Sequence, residues 1–352
     1  MARRRQAVTI KHVAADADVS LQTVSRVINN EPNVSVTTKA KVEASITKLG
    51  YVPSIAAQRM SGSKSYLILA LNDRERTIAQ WQARDGNDWV DQMLLGGMLT
   101  CAKHGYRMLI ELVDTRDEHV EREVTAAIAA LQPDGIILTP PHSHNPKIVG
   151  LLVSKRIPFV RMGSHRDDQG IPVRMDDEGA ARMATEHLIK AGHARIGFIT
   201  GSAEYSESMQ RIVGWKSVMA EHDLSIGGLL AEGDFSLISG ETATRQLLDG
   251  PDRATAIIAS NDQMALGALN VAKEGEIDVP RDLSIVSFEN SPGVRLCQPP
   301  LTAIDQPVAA MTAKAVNLLI SSQAGADLPE GPSVEAAQLI SRASVAPPPK
   351  DA

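Results

Sequence analysis

The sequence predicts an all-α helix-turn-helix head, a short hinge, and a larger α/β body of two parallel-sheet lobes. Three observations predict it. The first is charge: the 352 residues carry a formal −6, but residues 1–63 hold nine Lys or Arg against four acids, a balance of +5 that leaves −11 on the rest. A small basic head on an acidic body suggests a polyanion-binding module joined to a part with another task. The second is three short helical patterns within the first 50 residues. The third is the alternation of strand-like and helix-like runs from residue 66 onward, which implies parallel sheets with crossover helices.

The chain exceeds the length of one compact core, and 43% hydrophobic with 22% charged residues excludes bulk disorder. The two cysteines, Cys101 and Cys297, lie far apart. They argue against a disulfide-stapled secreted fold and for a reducing, cytoplasmic setting. No apolar run approaches the roughly 20 residues that span a bilayer. The basic start, Met1 to Gln6, is not followed by an apolar stretch, so no secretory signal is expected.

In the head, Thr9 stands before Ile10, Val13, Ala14 and Ala17, apolar at helical spacing. Ser20 precedes a second helix with Val24, Val27 and Ile28, and Ser35 a third with Ala40, Val42, Ile46 and Leu49. Gly50 sits where a left-handed cap belongs. The tight turn between the first two helices predicts that the second lies in a DNA major groove. Its exposed face would hold Leu21, Gln22, Ser25 and Arg26. Gln suits adenine and Arg suits guanine at base edges. The competing reading is a three-helix protein-binding module.

The runs Val8-Thr-Ile-Lys-His-Val-Ala, Val19-Ser-Leu-Gln-Thr-Val-Ser-Arg-Val-Ile-Asn29, Pro32-Asn-Val-Ser35 and Leu49-Gly-Tyr-Val-Pro53 closely resemble the head of the lactose-repressor/galactose-repressor family of bacterial transcription regulators. The resemblance runs along almost the whole chain. Two departures are His12, where the family usually has Asp, and Asp18, where it usually has Gly. The resemblance implies DNA contacts from Thr9, Ser20, Leu21, Gln22, Thr23, Ser25, Arg26, Asn29, Ser35 and Tyr51. It also implies a hinge helix after Pro53 that orders on DNA, with Met60 as the minor-groove wedge and Ala57 one turn earlier on the same face. An inert linker is the alternative.

For the body, the resemblance implies a bilobed, periplasmic-binding-protein-like fold whose chain crosses between lobes near residues 174, 306 and 334. The expected divisions are 1–52 (head), 53–63 (hinge), 64–174 with 307–333 (first lobe), 175–306 with 334–346 (second lobe) and a tail, 347–352. A ligand is expected between the lobes at the carboxyl ends of strands. Family positions for it are Arg211, in Arg-x-x-Gly-Trp; Phe235, as a stacking ring; Asn261, with Asp262 capping the next helix; Glu289, replacing the usual Asp; and, more weakly, Asp176. After the first strand the chain departs from the family in a long loop, 72–89. We expect it to hang over the cleft and offer Trp81 or Trp89. The resemblance further implies a homodimer on a near-palindromic operator, a small-molecule effector of carbohydrate type, and no cofactor, metal or membrane partner.

The body has no Gly-x-Gly-x-x-Gly, no Gly-x-x-x-x-Gly-Lys and no Gly-x-Ser-x-Gly, so a sugar-processing enzyme lacks a catalytic constellation. His142 and His144 have no further ligand nearby to complete a metal set. A solute-binding protein is opposed by the basic head. The Pro-rich tail shows no leucine heptads, so no coiled-coil tetramer is expected.

Overall fold

The computed structural model describes residues 8–28, 31, 33–51, 64–84, 86–116, 118–165 and 169–349. The hinge, with Ala57 and Met60, and also Asn29, lie outside the described residues. The chain forms two compact units, the second beginning at Leu67.

The first unit is built from α1 (Ile10–Ala17), α2 (Leu21–Ile28) and α3 (Val36–Leu49). His12 explains its own departure: its Nδ1 accepts the Thr9 backbone N–H at 3.0 Å, the service a carboxylate performs in a capping box. Asp18 takes the left-handed conformation, φ 49°, and ends α1. Ser20 Oγ accepts the Thr23 N–H at 3.1 Å, and Ser35 Oγ that of Thr38 at 3.2 Å, so each satisfies an orphan donor. The small core joins Val13, Ala17, Val24 and Val42, with Ile10, Val19, Ile28, Ile46 and Leu49 packed against it. Asp16 ties α1 to α3, accepting from Ser45 Oγ at 2.8 Å and Lys48 Nζ at 2.7 Å. Tyr51 corrects an expectation: its side chain is buried in this core rather than offered on the surface.

In the second unit one sheet runs β11-β5-β4-β3-β1-β2 and the other β12-β10-β9-β8-β6-β7. The first holds β1 (Leu67–Asp73), β2 (Arg107–Val113), β3 (Gly135–Leu138), β4 (Phe159–Met162), β5 (Ile171–Met175) and β11 (Ser333–Glu335). The second holds β6 (Ile196–Ile199), β7 (Leu230–Ala231), β8 (Ala256–Ala259), β9 (Ser284–Glu289), β10 (Thr302–Asp305) and β12 (Gln338–Ile340). Among the described residues all pairings are parallel except β10 with β12. The chain therefore passes between sheets after Met175, after Asp305 and after Glu335.

The segment 72–89 is mostly helix rather than loop. Asp73 Oδ1 accepts the Arg76 N–H at 3.2 Å and starts α4 (Arg74–Ala83); Asn87 Oδ1 accepts from Val90 at 3.2 Å and starts α5 (Asp88–Lys103). Then come α6 (Val120–Leu131), α7 (Pro146–Ser154), α8 (Asp177–Lys190) and α9 (Ser206–Glu221). They are followed by α10 (Leu237–Leu248), α11 (Asp262–Glu274), α12 (Pro292–Leu296) and α13 (Val308–Gln323), which returns to pack on α5. Gly214 lets α9 lie directly on α8, since a Cβ there would stand 2.2 Å from the Glu178 carbonyl oxygen. That approach brings Arg211 to Asp177.

Candidate functional site

The head shows one polar face. In α2, Val24 and Val27 are buried, whereas Leu21, Gln22 and Arg26 are exposed and Thr23 and Ser25 half-buried. Thr9, Ser20 and Ser35 are exposed at the three helix starts. Arg26 Nε lies 3.6 Å from Glu31, a half-exposed pair worth little in water.

In the second unit a cavity of about 100 Å³ opens between the two sheets. One lobe supplies Asn72 and Asp73 from the end of β1, Arg76, Thr77 and Gln80 from α4, and Trp89 and Val90 from α5. The other supplies Tyr205 before α9, Glu207 and Arg211 from α9, Phe235 before α10, Ser260 after β8 and Glu289 at the end of β9; Gln306 lies on the connection between lobes. These groups cluster at the carboxyl ends of strands because crossover helices start there, and the loops between are free to carry polar side chains.

Arg211 is buried and committed. Its Nε donates to Asp177 Oδ1 at 2.8 Å, its Nη2 lies 2.8 Å from the same oxygen, and its Nη1 donates to the Ser260 carbonyl at 2.7 Å. The guanidinium carbon also stands 4.6 Å from the Phe288 ring centre. Only its cavity-facing edge remains for a ligand.

Phe235 is occupied as well. It stands at φ +69°, with the Arg76 guanidinium 4.3 Å from its ring centre and Tyr205 edge-on at 5.2 Å. Arg76 also covers Tyr205 at 5.0 Å. The ring thus holds an arginine reaching from the opposite lobe, rather than offering that face to a ligand. Burial pushes the Tyr205 hydroxyl up to about 12. The polar wall is pre-ordered: Thr139 Oγ1 donates to Asn72 Oδ1 at 2.7 Å, and Asn72 Nδ2 donates to Thr77 Oγ1 at 2.7 Å. A hydrogen bond from Asn87 Nδ2 likewise fixes Gln80.

Glu207 and Glu289 are surrounded by protein, yet each keeps surface open to the cavity it lines. Burial, reinforced by nearby Asp177 for the first and Asp262 for the second, pushes both carboxyls up to about 8. The backbone at Glu289, φ 103°, is held in a region that non-glycine residues rarely adopt.

The structure brings Arg211, Phe235 and Glu289 to the cavity but not the other three expected residues. Asn261 is buried one step away; its Oδ1 accepts the Met264 N–H at 3.0 Å and its Nδ2 donates to the Phe235 carbonyl at 2.9 Å. It, and not Asp262, caps α11. Asp262 is buried, accepting from Ser287 Oγ at 2.7 Å. Asp176 is exposed and caps α8 through the Gly179 N–H at 2.9 Å. Trp81 is exposed, and Trp89 lines the cavity instead. Residues that sequence reasoning missed are Asp177, Arg76, Glu207 and Gln306. Among the described residues, no group of three or more His, Cys, Asp or Glu is arranged to hold a metal, and no helix is long and apolar enough to cross a membrane.

Raised carboxyls have a measurable consequence. Each of Glu207 and Glu289 binds a proton in the folded state that the unfolded chain has released at pH values between its ordinary 4.5 and about 8. Stability from these groups is therefore fullest below 4.5 and falls as pH rises through that window. The unliganded protein is expected to lose thermal midpoint from pH 5 toward about pH 8, and Glu207→Gln or Glu289→Gln should flatten that slope. An unchanged slope in both variants would assign the effect elsewhere.

Comparisons with known proteins agree with this geometry. Residues 9–54 match the family of bacterial regulatory proteins, lacI family, and residues 185–345 match a periplasmic binding protein-like domain. The HTH-type transcriptional repressor CytR of Escherichia coli (strain K12) is 31% identical over 345 residues, 97% of each chain. The ribose operon repressor of the same organism is 29% identical over 314 residues, 89% of this chain and 92% of that one. Among solved structures, a lac repressor dimer bound to operator and the anti-inducer ONPF superposes with a TM-score of 0.76 at 26% identity, covering 97% of this chain and 100% of that one. A complex of the transcriptional regulator CelR with cellobiose gives 0.72 at 27% identity, covering 96% and 99%. A basic helix-turn-helix head, two lobes around a polar cleft and similarity over nearly the full length lead to one conclusion: the chain belongs to the lacI family of bacterial regulatory proteins and is a DNA-binding transcriptional regulator.

Proposed function

We propose that this regulator represses transcription from the cytoplasm as a homodimer on a near-palindromic operator, and that a small polyhydroxylated effector in the cleft sets its operator affinity. The observation that carries the reading is the cavity, because its walls come from both lobes. A ligand touching Arg76 and Gln80 on one side and Glu207 and Arg211 on the other has different contacts when the lobes move. Differential contact is what shifts a two-state equilibrium; driving it from one extreme to the other takes roughly 5.5 kcal/mol. Relatives support a carbohydrate: one solved neighbour holds cellobiose and one relative is a ribose operon repressor.

On the DNA side, Gln22 and Arg26 read base edges, while Thr9, Ser20, Leu21, Thr23, Ser25 and Ser35 position the head along the duplex. A twofold dimer doubles these contacts and accounts for a palindromic site. An apolar stretch on α5 and β2, with Leu95, Met98, Leu99 and Leu109 about half-exposed, supports the first lobe as the dimer face.

The test is an operator-release assay. Gln306→Trp, which puts a large ring into the cavity, should leave operator binding intact and abolish the response to any sugar that moves the wild type. A normal response would place the effector elsewhere.

A further inference from the structure

The cavity walls contain two half-buried acids, Glu207 and Glu289, that form no ion pair among the described residues. The ionisable groups at or directly behind the lining are Asp73, Asp177, Glu207, Asp262 and Glu289 against Arg76 and Arg211, with His144 3.0 Å from Ser206 Oγ and His165 4.0 Å from Asp177 behind them. Arg211 is already used by Asp177, and Arg76 lies stacked on Phe235. Asp73 caps α4. Glu207 accepts from Ser206 Oγ at 3.5 Å and from its own backbone N–H, and its carboxyl is pressed against Gly163, where a Cβ would stand 1.9 Å from Oε1. Glu289 accepts only the Asp262 N–H, at 3.3 Å. Among the described residues neither glutamate forms an ion pair.

A buried carboxyl must either keep its proton or meet a cation. Building on the cleft as the effector site, we propose that the molecule it takes is an amine-bearing polyol of the amino-sugar class, whose ammonium is received by Glu207 and Glu289. An anionic sugar meets a wall with an excess of acids. A neutral sugar leaves both carboxyls protonated and gains only ordinary hydrogen bonds. An ammonium makes charge-assisted N–H···O bonds, roughly twice as strong as neutral ones. It also replaces the protons that the carboxyls hold in the empty cleft, so binding releases them. The groups that face this exchange are Ser206, Asp177 and Arg211 around Glu207, with His144 3.0 Å beyond on Ser206 and His165 4.0 Å beyond on Asp177, and Asp262, Arg76 and Arg211 around Glu289. The hydroxyls of the polyol fall to Asn72, Gln80 and Gln306, which line the same space.

The experiment is calorimetry on the full chain at about pH 6, where both carboxyls still hold their protons. Glucosamine, galactosamine and mannosamine are titrated beside their N-acetylated forms, the parent hexoses and the uronic acids, in buffers of different ionisation enthalpy. At least one hexosamine is expected to bind about tenfold more tightly than its parent and N-acetylated form, with net proton release. In the Glu207→Gln/Glu289→Gln variant the ratio of hexosamine to parent-hexose affinity should shrink to within about threefold. The inference is overturned if no hexosamine binds, if a neutral sugar or uronic acid binds as tightly, if no proton is released, or if the variant keeps the preference. The wild-type panel decides alone should the variant fail to fold. A neutral sugar that binds and shifts operator affinity would overturn this inference and leave the cleft reading standing. A hexosamine that binds with proton release yet leaves the operator unaffected would do the reverse.

Discussion

Arg211→Ala is expected to destabilise the body by about 3–5 kcal/mol, because it strands a buried carboxylate without its partner. Asp177 is almost fully enclosed, and the two bonds from Arg211 are its closest charge contacts. The family resemblance alone predicts loss of effector response with a healthy fold; the geometry predicts a lower unfolding midpoint as well. The double variant Arg211→Met/Asp177→Leu separates the two roles. Replacing a buried pair by apolar groups of similar volume is often neutral. The double variant should therefore recover most of the midpoint while remaining deaf to effector. A midpoint unchanged in Arg211→Ala would mean that Asp177 finds another partner or carries no charge. A recovered response in the double variant would make Arg211 purely structural.

Arg26→Ala should weaken operator binding by about 1–3 kcal/mol per head, and so by about 2–6 kcal/mol in a twofold dimer, at one symmetric base pair. The side chain is half-exposed on the free face of α2, and its ion pair with Glu31 is weak enough to be exchanged for a guanine edge. Competition binding against operators substituted at each position reads the effect. Uniform weakening on every duplex, with a reduced salt slope, would make Arg26 a phosphate contact instead.

Much of the fold was legible because apolar period and chain punctuation agree. The helix over Val120–Leu131 follows its apolar spacing, with Val120, Val124 and Ala127 buried on one stripe and Gln132 turning left-handed after it. Legibility fails where a helix faces the cleft. The first turns of α9, from Ser206 to Arg211, are polar because they line the cavity, so the apolar pattern picks the helix up only near Gly214. In α4 only Thr77 is buried, and the segment reads as loop although Asp73 marks its start. For the site, position was readable and partnership was not. Arg211 stood out by its motif, but Asp177 lies 34 residues away and only the packing across Gly214 joins them. Asn261 takes the helix cap expected of Asp262, leaving the acid to be enclosed. The Phe235 ring was found, while the arginine covering it comes from the segment that departs from the family.

The central claim, that occupancy of the cleft governs the grip on DNA, is tested most directly by fluorescence anisotropy. The full chain is titrated onto its operator and onto a scrambled duplex at moderate salt, with and without a compound that calorimetry shows to bind the body. The account predicts a strong preference for the operator and a shift in operator affinity of about tenfold or more on saturation, a coupling of about 1.4 kcal/mol. Equal affinity for both duplexes, or an operator affinity that stays fixed while the cleft is full, would contradict it.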